Sequence, residues 1–245
     1  MKNLFLSAIA VFALQSSPST AQQFVGKLQF EPGACPSGDQ VKLVYDYGYI
    51  DSRGGGWQTV AGDCTDGASI PFWAKPFIGG SFDPQFIGAA VIHDHYCDRH
   101  VHSWRETNWV FYDALLAGGV TEAKAEVMYY AVAIGGPKWI SLIEGVPCKV
   151  GNACIESVNV PTKIPRSAIV TSDSGQLMAV RPAQYDRLDM ASELKAVADL
   201  VEQPGAKVSL ADLDARAKAR NPDDFFLQNP DSIQYQGPRS KFPVQ

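Results

Sequence analysis

The chain is poor in histidine, and outside one short stretch it has none. All four fall within His93-Asp94-His95-Tyr96-Cys97-Asp98-Arg99-His100-Val101-His102. Imidazole is the side chain that titrates near neutrality and the commonest nitrogen ligand for metals, so histidine chemistry is confined to that stretch. The sequence also lacks any apolar run of the about 20 residues that a bilayer-crossing helix needs, which excludes a transmembrane segment. Positive charge is scarce as well. Lys and Arg number 21 against 26 Asp and Glu, a formal charge of −5. That balance argues against a nucleic-acid partner, which selects a basic face, and against general attraction to anionic lipid. No internal repeat and no Gly-x-Ser-x-Gly elbow is present, so the serine of an α/β-hydrolase is excluded too.

What is present begins with Met1-Lys2-Asn3, an apolar run over residues 4–14 and the small-residue site Ser19-Thr20-Ala21. This pattern reads as a secretory signal peptide over 1–21, cut before Gln22, and predicts an exported protein, periplasmic or secreted. The five cysteines, Cys35, Cys64, Cys97, Cys148 and Cys154, all follow that site. An odd count leaves one thiol over or points to a bridge between chains. The preferred pairs are Cys35 with Cys64 and Cys148 with Cys154, leaving Cys97 free beside the histidines; other pairings are open.

The hydrophobic pattern predicts an α+β fold. Val41, Leu43, Tyr45 and Tyr47 alternate, Arg53-Gly54-Gly55-Gly56 turns, and Trp57-Gln58-Thr59-Val60 returns, which predicts a β-hairpin over 41–61. Asp83 followed by Pro84 reads as a helix start, with helical spacing from Phe86 to Cys97. A second helix is expected over about 104–116 and a third from Thr121 to Ile134, ending at Gly135-Gly136-Pro137. Residues 22–155 thus form a small N-terminal β element packed on a three-helix core. Residues 156–245 read as a proline-punctuated helical extension, with helical stretches over 183–202 and 210–220 and a partly disordered polar tail.

If residues 84–101 are helical, His93, Cys97 and His100 recur at i, i+4 and i+7 and share a face, with Asp94 and Asp98 on the next stripe. Two kinds of site fit this spacing. His93, Cys97 and His100 could ligate zinc. Alternatively, one histidine acts as a general base while the adjacent aspartate holds a hard cation through oxygen. On either reading His95 and His102 face solvent or a helix junction.

The order Thr65-Asp66-Gly67-Ala68-Ser69-Ile70-Pro71, then Ala89-Ala90-Val91-Ile92-His93-Asp94, then Arg105, Phe111 and Ala114-Leu115 resembles the bacterial and phage family named domain of unknown function 1353. More distantly it resembles the secreted phospholipase A2 proteins of bacteria and fungi, which carry an Asp-x-Cys loop and a Cys three residues before a His-Asp pair. Here both cysteine positions are alanine, Ala68 and Ala90, the joint loss expected when both partners of one bridge go together. The phospholipase resemblance implies a calcium-dependent hydrolase of phospholipid or another ester lipid. In it Asp66, Gly67 and Asp94 hold Ca2+ and His93 activates a water against the sn-2 ester. Two positions depart from that pattern. Asn108 stands where the phospholipases have the aspartate that orients the histidine, and Cys97 stands where they have a tyrosine, with Tyr96 one residue early. A non-catalytic exported scaffold or binding protein on the same fold is the alternative function, and zinc held by His93, Cys97 and His100 is the second alternative.

Three further features carry smaller expectations. Ser69 reads as a loop hydroxyl rather than a nucleophile. Arg99 and Arg105 could face a phosphate head group, although solvated helix-surface arginines are the default. Trp57, Phe72, Trp73, Phe77 and Phe82 flank the loop as a lip for lipid or, for most of them, as core.

Overall fold

The structure, a computed structural model, describes residues 22–36, 40–68, 78–144, 168–172 and 174–235. The expected signal segment, Cys148, Cys154, Ser69, Phe72, Trp73, Phe77 and the polar tail beyond residue 235 lie outside the described residues.

The N-terminal third builds two small antiparallel sheets. One comprises β1 (Gln23–Gly26), β4 (Tyr47–Ile50) and β5 (Gly56–Thr59) in the order β1-β4-β5; the other comprises β2 (Phe30–Pro32), β3 (Val41–Leu43) and β6 (Cys64–Thr65) in the order β2-β3-β6. The hairpin expected over 41–61 is therefore shorter, and its first strand is divided between sheets. Asp46 breaks the strand by accepting a hydrogen bond from the Ala61 N–H, and Tyr45, placed by alternation on the buried face, is 46% exposed. In β4 and β5 the alternation does hold: Tyr47, Tyr49, Trp57 and Thr59 are buried. Asp51 organises the turn, accepting from the Arg53 and Gly55 N–H groups and from Trp57 Nε1. The Cys35–Cys64 disulfide ties β6 to the segment before β3, and Cys97 is a free, buried thiol.

Three helices follow: α1 (Ile87–Arg99), α2 (Trp104–Ala117) and α3 (Glu122–Gly135). They match the three expected. Helix α1 starts later than Pro84 because residues 83–86 form a turn, in which Asp83 Oδ1 accepts from Gln85 N and the Asp83 carbonyl from Ile87 N. It ends at His100, whose φ of 53° is left-handed. The Ser103 side chain caps α2 by accepting from Glu106 N. Helix α1 is central: every residue from Ile87 to His93 is buried, against α2 on one side and the β4–β5 hairpin on another.

The C-terminal region is not purely helical, which corrects the expected extension. Strand β7 (Lys138–Glu144) joins β8 (Ala168–Thr171), β9 (Leu177–Arg181) and β10 (Ser232–Tyr235) in a sheet of order β10-β7-β9-β8, with β10 parallel to β7. Strand β9 is buried at Leu177, Met178 and Ala179 in succession. A strand covered on both faces has no period-2 signature, so alternation could not reveal it. Helices α4 (Met190–Val201), α5 (Leu210–Arg220) and the short α6 (Phe225–Gln228) complete the six described helices. Helices α4 and α5 pack on α3 through Tyr129, Tyr130, Met190, Leu194, Val197 and Leu213.

Candidate active site

Helix α1 places His93, Asp94, Cys97 and Asp98 along a cavity of about 300 Å³. Thr65 lines it from the end of β6, Asp66 and Ala68 from the loop that follows, and Phe111 from α2. Ile78, Met128, Val132 and Leu194 also line it, so polar motif residues and aliphatic side chains share the cavity surface.

His93 is 6% exposed, and its ring lies 4.8 Å from that of Phe111. Its Nε2–H donates to Asn108 Oδ1 at 3.0 Å. Asn108 is itself buried and is absent from the cavity lining, and with Nε2–H committed to it Nδ1 is the ring nitrogen that keeps a lone pair. Burial lowers the His93 pKa to about 4 against the opposing pull of the Asn108 hydrogen bond, so the imidazole is neutral at pH 7. Cys97 Sγ lies 3.7 Å from Nδ1 and 3.6 Å from Nε2. Near-equal distances mean that the sulfur is not aligned with either nitrogen's lone pair, and burial, with Asp94 and Asp98 nearby, pushes the thiol pKa up. Cys97 is therefore a packed thiol rather than an ionised nucleophile.

Asp94 is held by Thr65, whose hydroxyl donates to Asp94 Oδ2 at 2.5 Å while accepting the Gly67 N–H at 2.9 Å. One threonine thereby fixes the loop to the helix. Burial raises the Asp94 pKa; the Thr65 bond works against that, and the Asp66 and Asp98 charges add to it, leaving it well above the usual carboxylate range. With Asp66 and Asp98 beside Asp94, the site is short of positive charge. Among the described residues no three His, Cys, Asp or Glu side chains stand together as a metal-holding group. A hard cation would therefore rest on Asp94 and Asp66 together with backbone carbonyl oxygens and water, a donor set that suits calcium.

Gly67 keeps the loop in place by conformation. Its φ is +78°, and a Cβ there would stand 2.3 Å from the Ser81 carbonyl oxygen, which already accepts the Ala68 N–H at 2.9 Å. Gly67→Ala is expected to cost about 2–3 kcal/mol from left-handed strain and the backbone clash together. Thermal unfolding of the variant measures this, and an unchanged midpoint would show that the loop yields freely.

The remaining histidines have structural partners. His95 Nδ1 pairs with Asp63 at 2.5 Å, and His102 Nδ1 lies 3.2 Å from Glu106 with its ring against Trp57. His100 lies edge-on to Trp139 at 4.7 Å and does not line the cavity. The three residues of the zinc reading are thus not all at the cavity, because the left-handed turn at His100 takes its ring off the α1 face. Arg105, a candidate for phosphate, instead ion-pairs with Asp231 and bonds the Phe226, Leu227 and Asn229 carbonyls. Arg99 lies 3.5 Å from Asp63. Of the aromatic residues suggested as a lip, Trp57 is core at 4% exposure, while Phe82 is 44% exposed against Phe30. Tyr96 turns to the hairpin, where its hydroxyl accepts the Gln58 N–H.

The family described as protein of unknown function, DUF1353, matches residues 41–132, the span that carries His93, Asp94, Asp66, Thr65 and Asn108. An uncharacterized protein of Sinorhizobium fredii, y4iH, is 40% identical over 183 residues, covering 74% of this chain and 71% of its own length. The chain belongs to the DUF1353 family. A second S. fredii protein, y4jT, is 28% identical over 196 residues, covering 75% of this chain and 58% of that protein. No solved structure matches. Neither the family description nor the relatives' names mention a phospholipase, so that likeness rests on the residues alone. The DUF1353 match ends before Pro137, Ala183, Tyr185, Met190 and Leu194, which also line the cavity. Sequence reasoning assigned no role to Thr65, although it stands inside the loop motif, and it missed Tyr185, for which no local signal exists.

Proposed function

We propose that this DUF1353 protein is an exported, cation-assisted hydrolase of lipid esters, with His93 as its general base. The observation that carries the reading is the orientation of His93: Nε2–H is committed to Asn108, which leaves Nδ1 as a neutral base at a cavity lined by both carboxylates and aliphatic side chains. Nδ1 takes a proton from a water whose oxygen adds to the ester carbonyl. As the tetrahedral adduct collapses, the same proton passes to the departing alkoxide, so one water is consumed and one fatty acid and one alcohol are released. Asp94, Asp66 and the Gly67 carbonyl would hold a hard cation such as calcium, which when bound supplies positive charge where the carbonyl oxygen becomes negative. The aliphatic lining accommodates an acyl chain, at a favourable contribution of about 0.8 kcal/mol per buried methylene. Ala68 and Ala90, the positions of the absent cysteine pair, both line the cavity, as a shared ancestral layout with the phospholipases would leave them.

Fatty-acid release from dioleoyl phosphatidylcholine and from anionic phospholipid vesicles, with calcium and with chelator, tests the proposal. His93→Ala and Asp94→Ala are each expected to lower release by about a thousandfold, within the range for loss of a positioned base. If neither the wild type nor Asn108→Asp releases fatty acid from any vesicle with calcium present, the reading is wrong.

A further inference from the structure

The outer wall of the cavity comes from a part of the chain that the family match does not reach. Ala183, Tyr185, Met190 and Leu194 all belong to the loop after β9 and to α4. This loop is strapped to the end of α3: Gln184 N donates to the Gly135 carbonyl at 2.7 Å, and Arg187 Nη1 donates to the Ile134 carbonyl at 3.4 Å. The Tyr185 ring lies directly on Gly135, where a Cβ would meet Cδ1 at 2.8 Å. The absence of a side chain at Gly135 is what lets the ring reach the cavity.

The hydroxyl of Tyr185 has no hydrogen-bond partner among the described residues, whereas Tyr47, Tyr49, Tyr96, Tyr129 and Tyr130 are otherwise placed, four of them with their hydroxyls bonded to protein groups. Burial first, then the neighbouring Cys97, Asp94 and Asp66 groups, push its pKa up, so it stays a protonated donor. A phenol that lines an acidic cavity, with no acceptor among the described residues, is a donor available to whatever occupies the cavity.

We propose that Tyr185 is a substrate-contacting residue of the His93 site, its phenolic O–H donating to the carbonyl oxygen of the bound acyl group. This rests on the ester-hydrolase reading for its catalytic consequence, though not for its binding consequence. In hydrolysis the donor strengthens its bond as charge builds on that oxygen, and no proton need leave the phenol. The region after residue 135 is then part of the site, setting which acyl groups fit between α4 and His93.

Tyr185→Phe removes only the hydroxyl, and because that hydroxyl bonds no group among the described residues the melting temperature should not change. With dioleoyl phosphatidylcholine vesicles, kcat is expected to fall about a hundredfold with KM little changed, the pattern of a bond made chiefly in the transition state. Gly135→Ala, which pushes the ring off its seat, should also lower kcat. Oleate binding to the full chain, followed by displacement of a fluorescent fatty acid, reads the same donor without turnover, and Tyr185→Phe should weaken it about fivefold. Equal kcat in wild type and Tyr185→Phe overturns the contact while leaving the His93 base intact. If the wild type releases no fatty acid, the hydrolase reading fails and oleate decides the contact: weaker binding by Tyr185→Phe upholds it, and equal binding or none overturns it.

Discussion

On the hydrolase reading proposed above, Asn108→Asp is expected to raise the rate of ester hydrolysis by about a hundredfold to a thousandfold, less than the roughly ten-thousandfold that the reverse exchange costs a serine protease. The geometry for the gain already exists, because Oδ1 accepts the His93 Nε2–H at 3.0 Å and the side chain is 2% exposed. The amide nitrogen of Asn108 is buried without a partner, so replacing it by oxygen removes no hydrogen bond. What changes is electrostatic. A carboxylate stabilises the imidazolium that forms when Nδ1 takes a proton, whereas an amide only orients the ring.

The same exchange moves the pH dependence in a defined direction. Burial holds the His93 pKa at about 4, so on the proposed reading the wild-type imidazole serves as base, and kcat/KM keeps its plateau, until the pH falls to about that value. A neighbouring carboxylate favours the charged form and raises that pKa, so the variant loses activity at a higher pH on the acid side while gaining rate on the plateau. Fatty-acid release measured across the pH range reads both effects. An unchanged plateau together with an unmoved limb would mean that His93 is not the base.

Asp113→Ala destabilises the fold by about 3 kcal/mol, more than any other single polar substitution expected in the N-terminal half. Asp113, on α2, is 5% exposed and accepts from Gln22 Nε2 at 2.6 Å, from the Tyr49 hydroxyl at 2.6 Å and from Ser52 N at 2.9 Å. These three bonds dock β1, β4 and the turn after β4 onto the helix. Removing the carboxylate breaks all three and leaves the Tyr49 hydroxyl buried without an acceptor, and an orphaned buried donor costs more than the bond itself was worth. Tyr49→Phe in the Asp113→Ala background should recover part of the loss, since it removes that orphan. Urea unfolding of the two single variants and the double variant gives the coupling. An Asp113→Ala variant within about 0.5 kcal/mol of wild type would show that apolar packing alone holds the hairpin to α2.

The three helices were legible because each couples a boundary signal to a buried stripe. Ser103 before Trp104 and Gly135-Gly136 after Ile134 are local chemistry, and they acted locally. The His-Asp pair was legible for the same reason, since both residues sit on one turn of a helix that periodicity revealed. Strand β9 and the division of the first hairpin were not. A strand covered on both faces has no alternation to read, and the break at Asp46 depends on an acceptor for Ala61, a partner fifteen residues away.

The motif chemistry was likewise only half visible. Thr65 lay in the loop motif with no signal that its hydroxyl would join Gly67 to Asp94. The fate of the four histidines also depended on partners: His95 found Asp63, His102 found Glu106 and His100 found Trp139, leaving His93 alone at the cavity.

By itself, then, the sequence determined the local elements: three helices, the turn at Arg53-Gly54-Gly55-Gly56, the placing of all histidine within one helix and its exit, and the adjacency of His93 and Asp94. Only the tertiary structure decided that Asn108 orients His93, that Asp66 and Asp98 crowd Asp94, and that Tyr185, ninety-two residues after His93, closes the same cavity. The physical reason is one of range. Helix caps and periodicity act over a few residues, whereas a cavity is defined by side chains that meet only after the chain has folded back on itself.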